Sequence, residues 1–459
     1  MSPARNAGGD AQAAAQAAAI DTASVCGLTR EGEGVVHGGK TVFVAGALPG
    51  ERIRFRRTRR HRQHDEGELL EVLEPAAERV VPRCAHFGVC GGCALQHLAP
   101  AAQLAAKERE LKETLARVGR VAPESWLSPL AGPAWGYRRR ARLGAKYVHK
   151  KGCVVVGFRE RAAPYVAQLS ACEVLAPPAG GLIAPLAAAL TELSIREQLP
   201  QIEVAVGDNA TALVLRVLKS PTPQDLSRLQ DFAATHDVQL YLQPGDLSSV
   251  HPLRADSPPL RYALPRFGLE LEFAPTDFVQ VNAPVNDALV ARAVELLQLT
   301  PDAAVLDLYC GLGNFTLALA RHAGSSVGVE GAGVLVARAR DNARLNGIEN
   351  AQFHLTDLAR APEGQLPWLH ARCTHVLLDP PRTGALEVLA AVAALAPRRV
   401  LYISCHPGSL ARDLGVLVHQ HGFTLEAAGV VDMFPHTAHV ESMALLRREV
   451  RSGAMEAAA

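Results

Sequence analysis

The sequence predicts an α/β protein in three parts: a small β-barrel, a mixed α+β region and a doubly wound sheet. Short alternating runs of apolar and polar residues, broken by glycines, predict an antiparallel barrel of about five strands between residues 21 and 75. Strands alternate with helices from about residue 286 to 450, which predicts a sheet that is parallel in its main part. The β-rich runs between residues 76 and 285 are punctuated by proline and glycine, so this region is predicted to be mixed α+β.

Composition favours a globular protein of several domains. The 459 residues are 48% hydrophobic and 20% charged. No apolar run approaches the roughly 20 residues of a membrane-spanning helix, and the N-terminus lacks signal-peptide features. We therefore expect a cytoplasmic location and no membrane association. Residues 1–20 are rich in Ala, Gln and Gly, which predicts a disordered tail, and residues 451–459 form a second tail.

Basic residues cluster within the predicted barrel, although the net charge of the whole chain is only +1. Three arginines, Arg52, Arg54 and Arg56, alternate with the apolar residues Ile53 and Phe55. A strand here would bury the apolar pair and present a row of arginines to phosphates, although a merely solvated charged face is the alternative. A second basic cluster contains aromatic residues: Tyr137, Arg138, Arg139, Arg140, Arg142, Lys146, Tyr147, Lys150 and Lys151.

Three closely spaced cysteines predict a metal or cluster site in the mixed region. Cys84, Cys90 and Cys93 form a C-x5-C-x2-C motif, and Cys172 lies far downstream. An odd total of nine cysteines in a chain without export features argues against a disulfide framework. The spacing leaves the metal open, because four thiolates suit zinc as well as an iron–sulfur cluster.

A glycine turn follows the first strand of the doubly wound part. Gly311 and Gly313 allow a ligand to approach the backbone closely, and Glu330 ends the next strand, where it can accept hydrogen bonds from ribose hydroxyls. Simple strand-to-helix packing is the alternative. The position three after Gly313 is Thr316, so the pyrophosphate-binding G-x-G-x-x-G fingerprint is incomplete. A cofactor without a pyrophosphate fits better than NAD.

Later strand ends deliver reactive groups to the same predicted edge of the sheet. Asp379 follows an apolar strand, and Cys405 follows another. A helix begins near Pro407, and its N-terminal dipole is expected to favour the thiolate of Cys405, which makes this cysteine a candidate nucleophile. Glu441 precedes the last β run and is a candidate base, although an ordinary surface carboxylate is the alternative.

Together these segments resemble the RumA (RlmD) family of RNA uracil-5-methyltransferases. The hallmarks are D-P-P-R-x-G at Asp379–Gly384, S-C-x-P at Ser404–Pro407 and F-P-x-T-x-H-x-E at Phe434–Glu441. The segment Phe273–Asn282 is similar to the family's lead into its methyltransferase domain. The likeness covers nearly the whole chain after residue 20. One variation is His406, where many relatives carry Asn.

The resemblance implies a fold and a site. It implies a Rossmann-like class I methyltransferase domain at 286–450, a TRAM-like, OB-like RNA-binding barrel at 21–75 and a central domain with an iron–sulfur site at 76–285. Cys405 would add to carbon 6 of uracil, Glu441 would remove the carbon 5 proton, and Asp379 would contact both cofactor and uracil. The implied S-adenosyl-L-methionine site consists of Gln280, Tyr309, Asn314, Glu330, Asp357 and Asp379. The implied [4Fe-4S] ligands are Cys84, Cys90, Cys93 and Cys172.

The resemblance also implies a substrate, the uridine at position 1939 of 23S rRNA in reference numbering. A barrel combined with cluster cysteines favours 23S rRNA, because the family's tRNA enzyme lacks both. Methylation of another 23S rRNA or tRNA uridine is an alternative. So is a noncatalytic iron–sulfur RNA-binding protein in ribosome assembly, and a DNA cytosine-5-methyltransferase is disfavoured by the uracil-family motifs. We expect no obligatory protein partner.

Overall fold

The computed structural model describes residues 20–361, 366–370 and 372–448, which form two compact units. The first unit comprises the chain up to Ala106 with the short segments Glu160–Ala163 and His436–Ala438, and the second comprises the remainder. Apart from Ile20, the two predicted tails lie outside the described residues. Among the described residues, none of the helices has both the length and the apolar character needed to cross a bilayer.

The first unit contains the predicted barrel. Its strands are β1 (Ile20–Leu28), β2 (Glu33–Val36), β3 (Thr41–Ala45), β4 (Arg52–Arg60) and β5 (His64–Glu74), which close in the order β1-β2-β3-β5-β4. The prediction of an entirely antiparallel barrel is wrong, because β3 and β5 pair in parallel. Strand β4 connects β3 to β5 in the sequence, but in the barrel it lies on the far side of β5 and pairs with β5 and β1. Strands β3 and β5 are therefore neighbours that run in the same direction.

Alternation along β4 fills the barrel and explains one glycine on its partner strand. Ile53 and Phe55 are buried, as predicted, and belong to a core cluster with valines from the other barrel strands. At Gly67 a Cβ atom would lie 2.9 Å from the ring of Phe55 and 3.1 Å from Val44. The barrel interior therefore has room for the phenylalanine only because β5 has no side chain at this position.

The predicted row of arginines is exposed, but each arginine has a carboxylate partner on β5. The pairs are Arg52–Glu74 at 3.3 Å, Arg54–Glu71 at 2.6 Å and Arg56–Glu68 at 2.5 Å. Such cross-strand pairs neutralise the row in the resting protein. A phosphate that binds this face must compete with the glutamates.

The second unit begins within a helix and contains a mixed sheet. Helix α1 (Pro100–Thr114) continues into a π-helical turn, Leu115–Gly119, and the two-residue strand β6 (Ser125–Trp126) follows. The mixed sheet has the order β12-β11-β10-β9-β7-β8. In the sequence, helix α2 connects β8 to β9 and helix α3 connects β10 to β11. Its elements are β7 (Arg140–Val148), β8 (Cys153–Gly157), α2 (Ile183–Thr191), β9 (Gln201–Val206), β10 (Thr211–Arg216), α3 (Pro223–His236), β11 (Gln239–Gln243) and β12 (His251–Pro252). A hairpin follows, of β13 (Leu260–Leu264) and β14 (Leu269–Phe273). Short 3₁₀ segments occur at His149–Lys151, Ala179–Leu182, Arg196–Gln198, Leu247–Ser249 and Pro265–Phe267.

The predicted doubly wound sheet is confirmed, with the strand order β17-β16-β15-β18-β19-β21-β20-β6. Its first five strands in that order are parallel, and β21 runs antiparallel to both of its neighbours. The strands are β15 (Ala304–Leu308), β16 (Ser325–Glu330), β17 (Ala351–Leu355), β18 (His375–Leu378), β19 (Arg399–Ser404), β20 (Phe423–Val431) and β21 (Glu441–Arg448). The helices are α4 (Ala283–Leu297), α5 (Thr316–Ala320), α6 (Gly333–Leu345), α7 (Pro367–His370), α8 (Leu386–Ala394) and α9 (Pro407–His421). Strand β18 is buried throughout, which explains its continuous apolar sequence.

Candidate active site

The carboxyl ends of the five parallel strands each carry one predicted site residue. Adjacent strands lie about 4.8 Å apart, so residues at successive strand ends are neighbours along one edge. The site residues are far apart in sequence, but the strand order places them in a row along this edge. Glu441, the first residue of β21, extends the row. Along the edge the row is Asp357, Glu330, Tyr309, Asp379, Cys405 and Glu441. The predicted cofactor residues thus occupy one half, the predicted nucleophile and base occupy the other, and Asp379 lies between them.

The predicted nucleophile and base are neighbours because of the register between β19 and β21. Ser404 pairs with Ser442 in this antiparallel ladder, so the next residue on each side, Cys405 and Glu441, stand beside one another. Opposed residues in such a ladder have Cα atoms about 4.5–5.5 Å apart. The Ser442 hydroxyl also donates to the Ser404 carbonyl at 3.3 Å. Cys405 is half-buried and Glu441 is buried, so the thiol is the more accessible of the two groups.

The surroundings of the Cys405 thiol in the fold oppose the thiolate form that helix α9 is expected to favour. Burial raises the pKa of Cys405 to about 11, and the nearby carboxyl groups of Glu441 and Asp379 raise it as well. Helix α9 does begin at Pro407, with His406 as its N-cap: the His406 ring accepts the Ser409 N–H at 3.1 Å. Desolvation and two carboxyl groups thus act against the thiolate that the N-terminus of this helix favours. The side-chain oxygen of an Asn is a preferred acceptor at an N-cap, so the residue of many relatives could make the same kind of cap.

The two carboxyl groups that raise the pKa of Cys405 have raised pKa values themselves. Burial raises the pKa of Asp379 to about 7, and burial together with Asp379 raises the pKa of Glu441 well above its usual range. The guanidinium of Arg382 acts in the opposite direction on the pKa values of Glu441 and Cys405. Arg382 also donates to Nδ1 of His439 at 2.8 Å. The sequence contains Arg382 in its D-P-P-R segment, but its electrostatic effect on the thiol was not predicted.

A buried carboxylate holds the loop after β18 in place. Asp413 on α9 accepts the Tyr402 hydroxyl at 2.6 Å and the Ala385 backbone N–H at 2.7 Å. Gly384 lies against it with φ +87°, and a Cβ atom there would be 2.5 Å from the Asp413 carboxylate. This explains the glycine of the D-P-P-R-x-G segment. The role of Asp413 could not be predicted, because Tyr402 and Ala385 are distant from it in sequence.

The backbone around Glu330 forms the core of the cofactor half. One carboxylate oxygen of Glu330 accepts the Gly311 N–H at 3.1 Å and the other accepts the Ala332 N–H at 2.9 Å. Each oxygen keeps a second lone pair, so the fixed carboxylate can still accept a ligand hydroxyl. Tyr309, with the unusual φ of +65°, donates its hydroxyl to the Leu358 carbonyl at 3.2 Å. Such an uncommon backbone conformation is frequent at ligand sites.

Gln280 and Asp357 lie at opposite sides of this half. Gln280 donates to Asp379 at 3.4 Å, so it joins the cofactor half to the catalytic half. Asp357 accepts the Ala359 N–H at 3.0 Å, and its side chain is 63% exposed. Asn314, the remaining predicted cofactor residue, bonds to Asn286 and to Tyr262, neither of which was predicted.

Three of the predicted cluster cysteines lie in a tight segment of the first unit. The Phe87 N–H bonds to the Cys84 carbonyl at 3.1 Å, and the Gly92 N–H donates to the sulfur of Cys90 at 3.4 Å. An N–H group directed at a sulfur stabilises a thiolate ligand. Cys84, Cys90 and Cys93 are half-buried. Cys172 is also half-buried and belongs to the second unit.

Comparisons with known proteins agree with this geometry. A model of the tRNA (Uracil-5-)-methyltransferase family matches residues 268–449. The chain is 52% identical over 432 residues to the 23S rRNA (uracil(1939)-C(5))-methyltransferase RlmD of Alkalilimnicola ehrlichii, an alignment that covers 93% of this chain and 96% of the relative. The RlmD protein of Xanthomonas euvesicatoria is 49% identical over 430 residues, with the same coverage.

A solved structure shares the fold. The tRNA (uracil-54, C5)-methyltransferase of Pyrococcus abyssi, in complex with S-adenosyl-L-homocysteine, superimposes with a TM-score of 0.71 at 22% identity. The match covers 93% of this chain and 100% of the other. The resemblance inferred from the motifs is therefore confirmed by sequence identity over nearly the full length. The chain belongs to the RlmD family of 23S rRNA (uracil-C5)-methyltransferases.

Proposed function

We propose that this protein transfers a methyl group from S-adenosyl-L-methionine to carbon 5 of a uridine in 23S rRNA, the uridine 1939 of its relatives' names. The observation that carries the proposal is the pairing of Ser404 with Ser442, which sets a thiol beside a carboxyl group at the ligand edge of the sheet. Covalent uracil methylation requires this combination of a nucleophile and a base.

The nucleophile in this proposal is Cys405. Carbon 5 of uracil is a poor nucleophile, so the Cys405 sulfur adds to carbon 6 and turns the ring into an enolate. Carbon 5 of the enolate then attacks the methyl group, whose bond to the sulfonium sulfur breaks, and S-adenosyl-L-homocysteine is released. The thiol must first give up its proton to water, because burial raises its pKa to about 11. Arg382 favours that loss, since its positive charge lowers the pKa of Cys405.

Glu441 is the base in this proposal. After methyl transfer its carboxylate takes the proton from carbon 5, the carbon 5–carbon 6 double bond reforms, and the bond from carbon 6 to the Cys405 sulfur breaks. The raised pKa of Glu441 suits this step, because a more basic carboxylate accepts a proton from carbon more readily. The carboxyl group must be ionised before the step occurs.

The residues of the cofactor half fit an S-adenosyl-L-methionine molecule. When bound, this molecule supplies a methyl group on a positively charged sulfur. The fixed Glu330 carboxylate is suited to ribose hydroxyls, and Gly311 leaves the backbone open to close approach. Asp379 stands between Tyr309 and Cys405 in the row, which supports its role in contacting both cofactor and uracil. Gln280, Asn314 and Asp357 complete the proposed set.

We further propose a [4Fe-4S] cluster held by four cysteines, Cys84, Cys90, Cys93 and Cys172. The half-buried thiols of the first three and the N–H group directed at Cys90 fit a thiolate-ligated group, and the resemblance of the sequence supports Cys172. The methyl transfer has no redox step, so the proposed role is structural. Iron and sulfide analysis of anaerobically purified protein tests this. Loss of iron in Cys84→Ser and Cys172→Ser but not in Cys153→Ser supports the assignment, whereas stoichiometric zinc contradicts it.

The proposal that 23S rRNA is the substrate is supported by sequence identity to named relatives and not by the domain layout. The Pyrococcus abyssi protein that shares the fold over 93% of this chain is named a tRNA enzyme. The presence of a barrel and a central domain therefore does not separate the two substrates. The 47–52% identical relatives are named for 23S rRNA, which supports that substrate. With this substrate we propose a cytoplasmic location and no obligatory protein partner.

The decisive experiment combines the protein, S-adenosyl-L-methionine and RNA fragments that contain 5-fluorouridine at the target position. Fluorine cannot be removed as a proton, so the covalent adduct accumulates and survives denaturation. We expect an adduct with the 23S rRNA fragment in wild type and in Cys153→Ala, and none in Cys405→Ala.

The substrate arms decide between the alternatives. If an adduct forms with tRNA alone, the substrate is tRNA and not 23S rRNA, and the proposed covalent mechanism stands. Labelling of duplex DNA would indicate a DNA enzyme. If no adduct forms with any nucleic acid, the protein is a noncatalytic RNA-binding member of the family.

A further inference from the structure

The side chain of Asn314 is held by two residues outside the proposed cofactor set. Asn286 on α4 forms a reciprocal pair with it: Asn286 Nδ2 donates to Asn314 Oδ1 at 2.9 Å, and Asn314 Nδ2 donates to Asn286 Oδ1 at 3.0 Å. The hydroxyl of Tyr262 on β13 donates to the same Asn314 oxygen at 2.9 Å. The two supporting residues are 2% and 7% exposed, so water does not replace these bonds easily.

A count of donors and acceptors shows which hydrogen-bonding positions of the Asn314 amide are still available to a ligand. Its oxygen has two lone pairs, and both are used. Its nitrogen has two hydrogens, and the pair with Asn286 uses one. Within the part of the chain that the structure describes, the second N–H has no partner. Asn314 is half-buried, so one side of this amide is open to a ligand.

Tyr262 determines whether the N–H group or the oxygen of the Asn314 amide faces the open side. An amide is nearly symmetric in shape, and a joint 180° turn of Asn314 and Asn286 would preserve their reciprocal pair. After that turn the Tyr262 oxygen would accept an N–H, and its own buried hydroxyl hydrogen would have no acceptor among the described residues. An unsatisfied buried donor is costly. Burial also raises the pKa of Tyr262, so the hydroxyl keeps its proton and remains a donor.

We propose that Tyr262 and Asn286 are positioning residues that orient Asn314 so that it presents an N–H donor to the bound cofactor. The inference deepens the proposed function, because it depends on Asn314 belonging to the cofactor site. Tyr262 and Asn286 also line a small crevice together with Gln280, another proposed cofactor residue. An N–H at this place selects an acceptor atom, such as a carboxylate, hydroxyl or ring nitrogen.

Calorimetric binding of S-adenosyl-L-homocysteine to the full-length protein tests the inference without turnover. Tyr262→Phe removes only the hydroxyl, and we expect the Kd to rise about fivefold, the loss associated with one hydrogen bond. Asn286→Asp keeps the size but sets an acceptor against the Asn314 oxygen, and we expect a rise of about tenfold or more. The matched control is Tyr241→Phe, which removes another buried hydroxyl that donates to Gln239 at 3.0 Å, and it should leave the Kd unchanged.

Two further readouts separate orientation from general damage. At saturating S-adenosyl-L-methionine, Tyr262→Phe should retain the wild-type kcat and the wild-type KM for RNA, and its Tm should match that of Tyr241→Phe. If Asn314→Ala weakens binding and both Tyr262→Phe and Asn286→Asp bind normally, the inference is overturned and the cofactor assignment stands. If Asn314→Ala itself binds normally, the assignment of Asn314 fails and the inference fails with it.

Discussion

In the free protein, Cys405 should react slowly with iodoacetamide, and its rate should rise steeply with pH. The reagent attacks only the thiolate, and the pKa of Cys405 is about 11 against 9.0 for an ordinary cysteine. At pH 8 the thiolate fraction is then about a hundredfold lower than that of an ordinary thiol. A more basic thiolate is intrinsically more reactive, by about eightfold over this difference. The net expectation is a rate about tenfold below that of a free cysteine.

Two variants should shift this rate in opposite directions. Glu441→Gln removes a carboxyl group that raises the pKa of Cys405, so alkylation at alkaline pH should accelerate. Arg382→Gln removes the charge that lowers that pKa, so alkylation should slow further. Both changes keep the approximate size of the side chain. Opposed effects of this kind distinguish electrostatics from altered access to the sulfur.

The assay is peptide mapping by mass spectrometry, because the chain has nine cysteines and only the Cys405 peptide is informative. N-acetylcysteine amide in the same tube provides the reference rate. We expect the Cys405 rate to keep rising about tenfold per pH unit between pH 7 and 10. A plateau by pH 8, or a rate equal to the reference at pH 7, would show that the thiol is already ionised and would refute the electrostatic reasoning.

Other predictions concern stability, the adduct and RNA affinity. The pKa of Glu441 is raised on folding, so the folded state binds more protons than the unfolded state between the two pKa values, and its stability falls as pH rises through that window. Glu441→Gln should therefore raise Tm at pH 8.5, by about 2–4 °C, and less at pH 5; an equal shift at both pH values would contradict this. On natural uridine RNA the same variant should accumulate a methylated covalent adduct visible on denaturing gels, and free methylated RNA at the wild-type rate would exclude Glu441 as the base. Gly384→Ala should lower Tm and kcat together, because its Cβ would lie 2.5 Å from the Asp413 carboxylate; a wild-type Tm would show that the loop can yield. If the barrel face binds phosphates, Glu71→Gln should tighten RNA binding by releasing Arg54, and Arg54→Gln should weaken it and reduce the salt dependence, as filter binding at several salt concentrations can measure.

Local sequence patterns predicted much of this protein. Alternating strands and helices predicted the doubly wound sheet, because that pattern leaves few ways to bury both faces of parallel strands. Strand ends followed by polar residues then predicted Asp379 and Cys405 at one edge, since ligands bind beyond the carboxyl ends of such strands. The alternation of Ile53 and Phe55 predicted which side of β4 is buried. Each of these predictions depends only on residues close together in the chain.

Other properties depend on residues that are far apart in sequence, and only the tertiary structure decided them. The parallel pairing of β3 with β5 and the glutamates opposite the arginine row follow from the closure of the barrel. The register of β19 with β21, not any local pattern, sets Glu441 beside Cys405.

The chemical state of the site was decided in the same way. The sequence predicted a thiolate favoured by a helix dipole, a local effect. In the fold, burial and the carboxyl groups of two other segments act in the opposite direction and raise the pKa of Cys405. The support that Asn286 and Tyr262 give to Asn314 likewise joins three elements. Residue types and their local periodicity thus determined which groups reach the sheet edge, whereas strand register, long-range hydrogen bonds and burial decided which groups meet there and in which direction their pKa values shift.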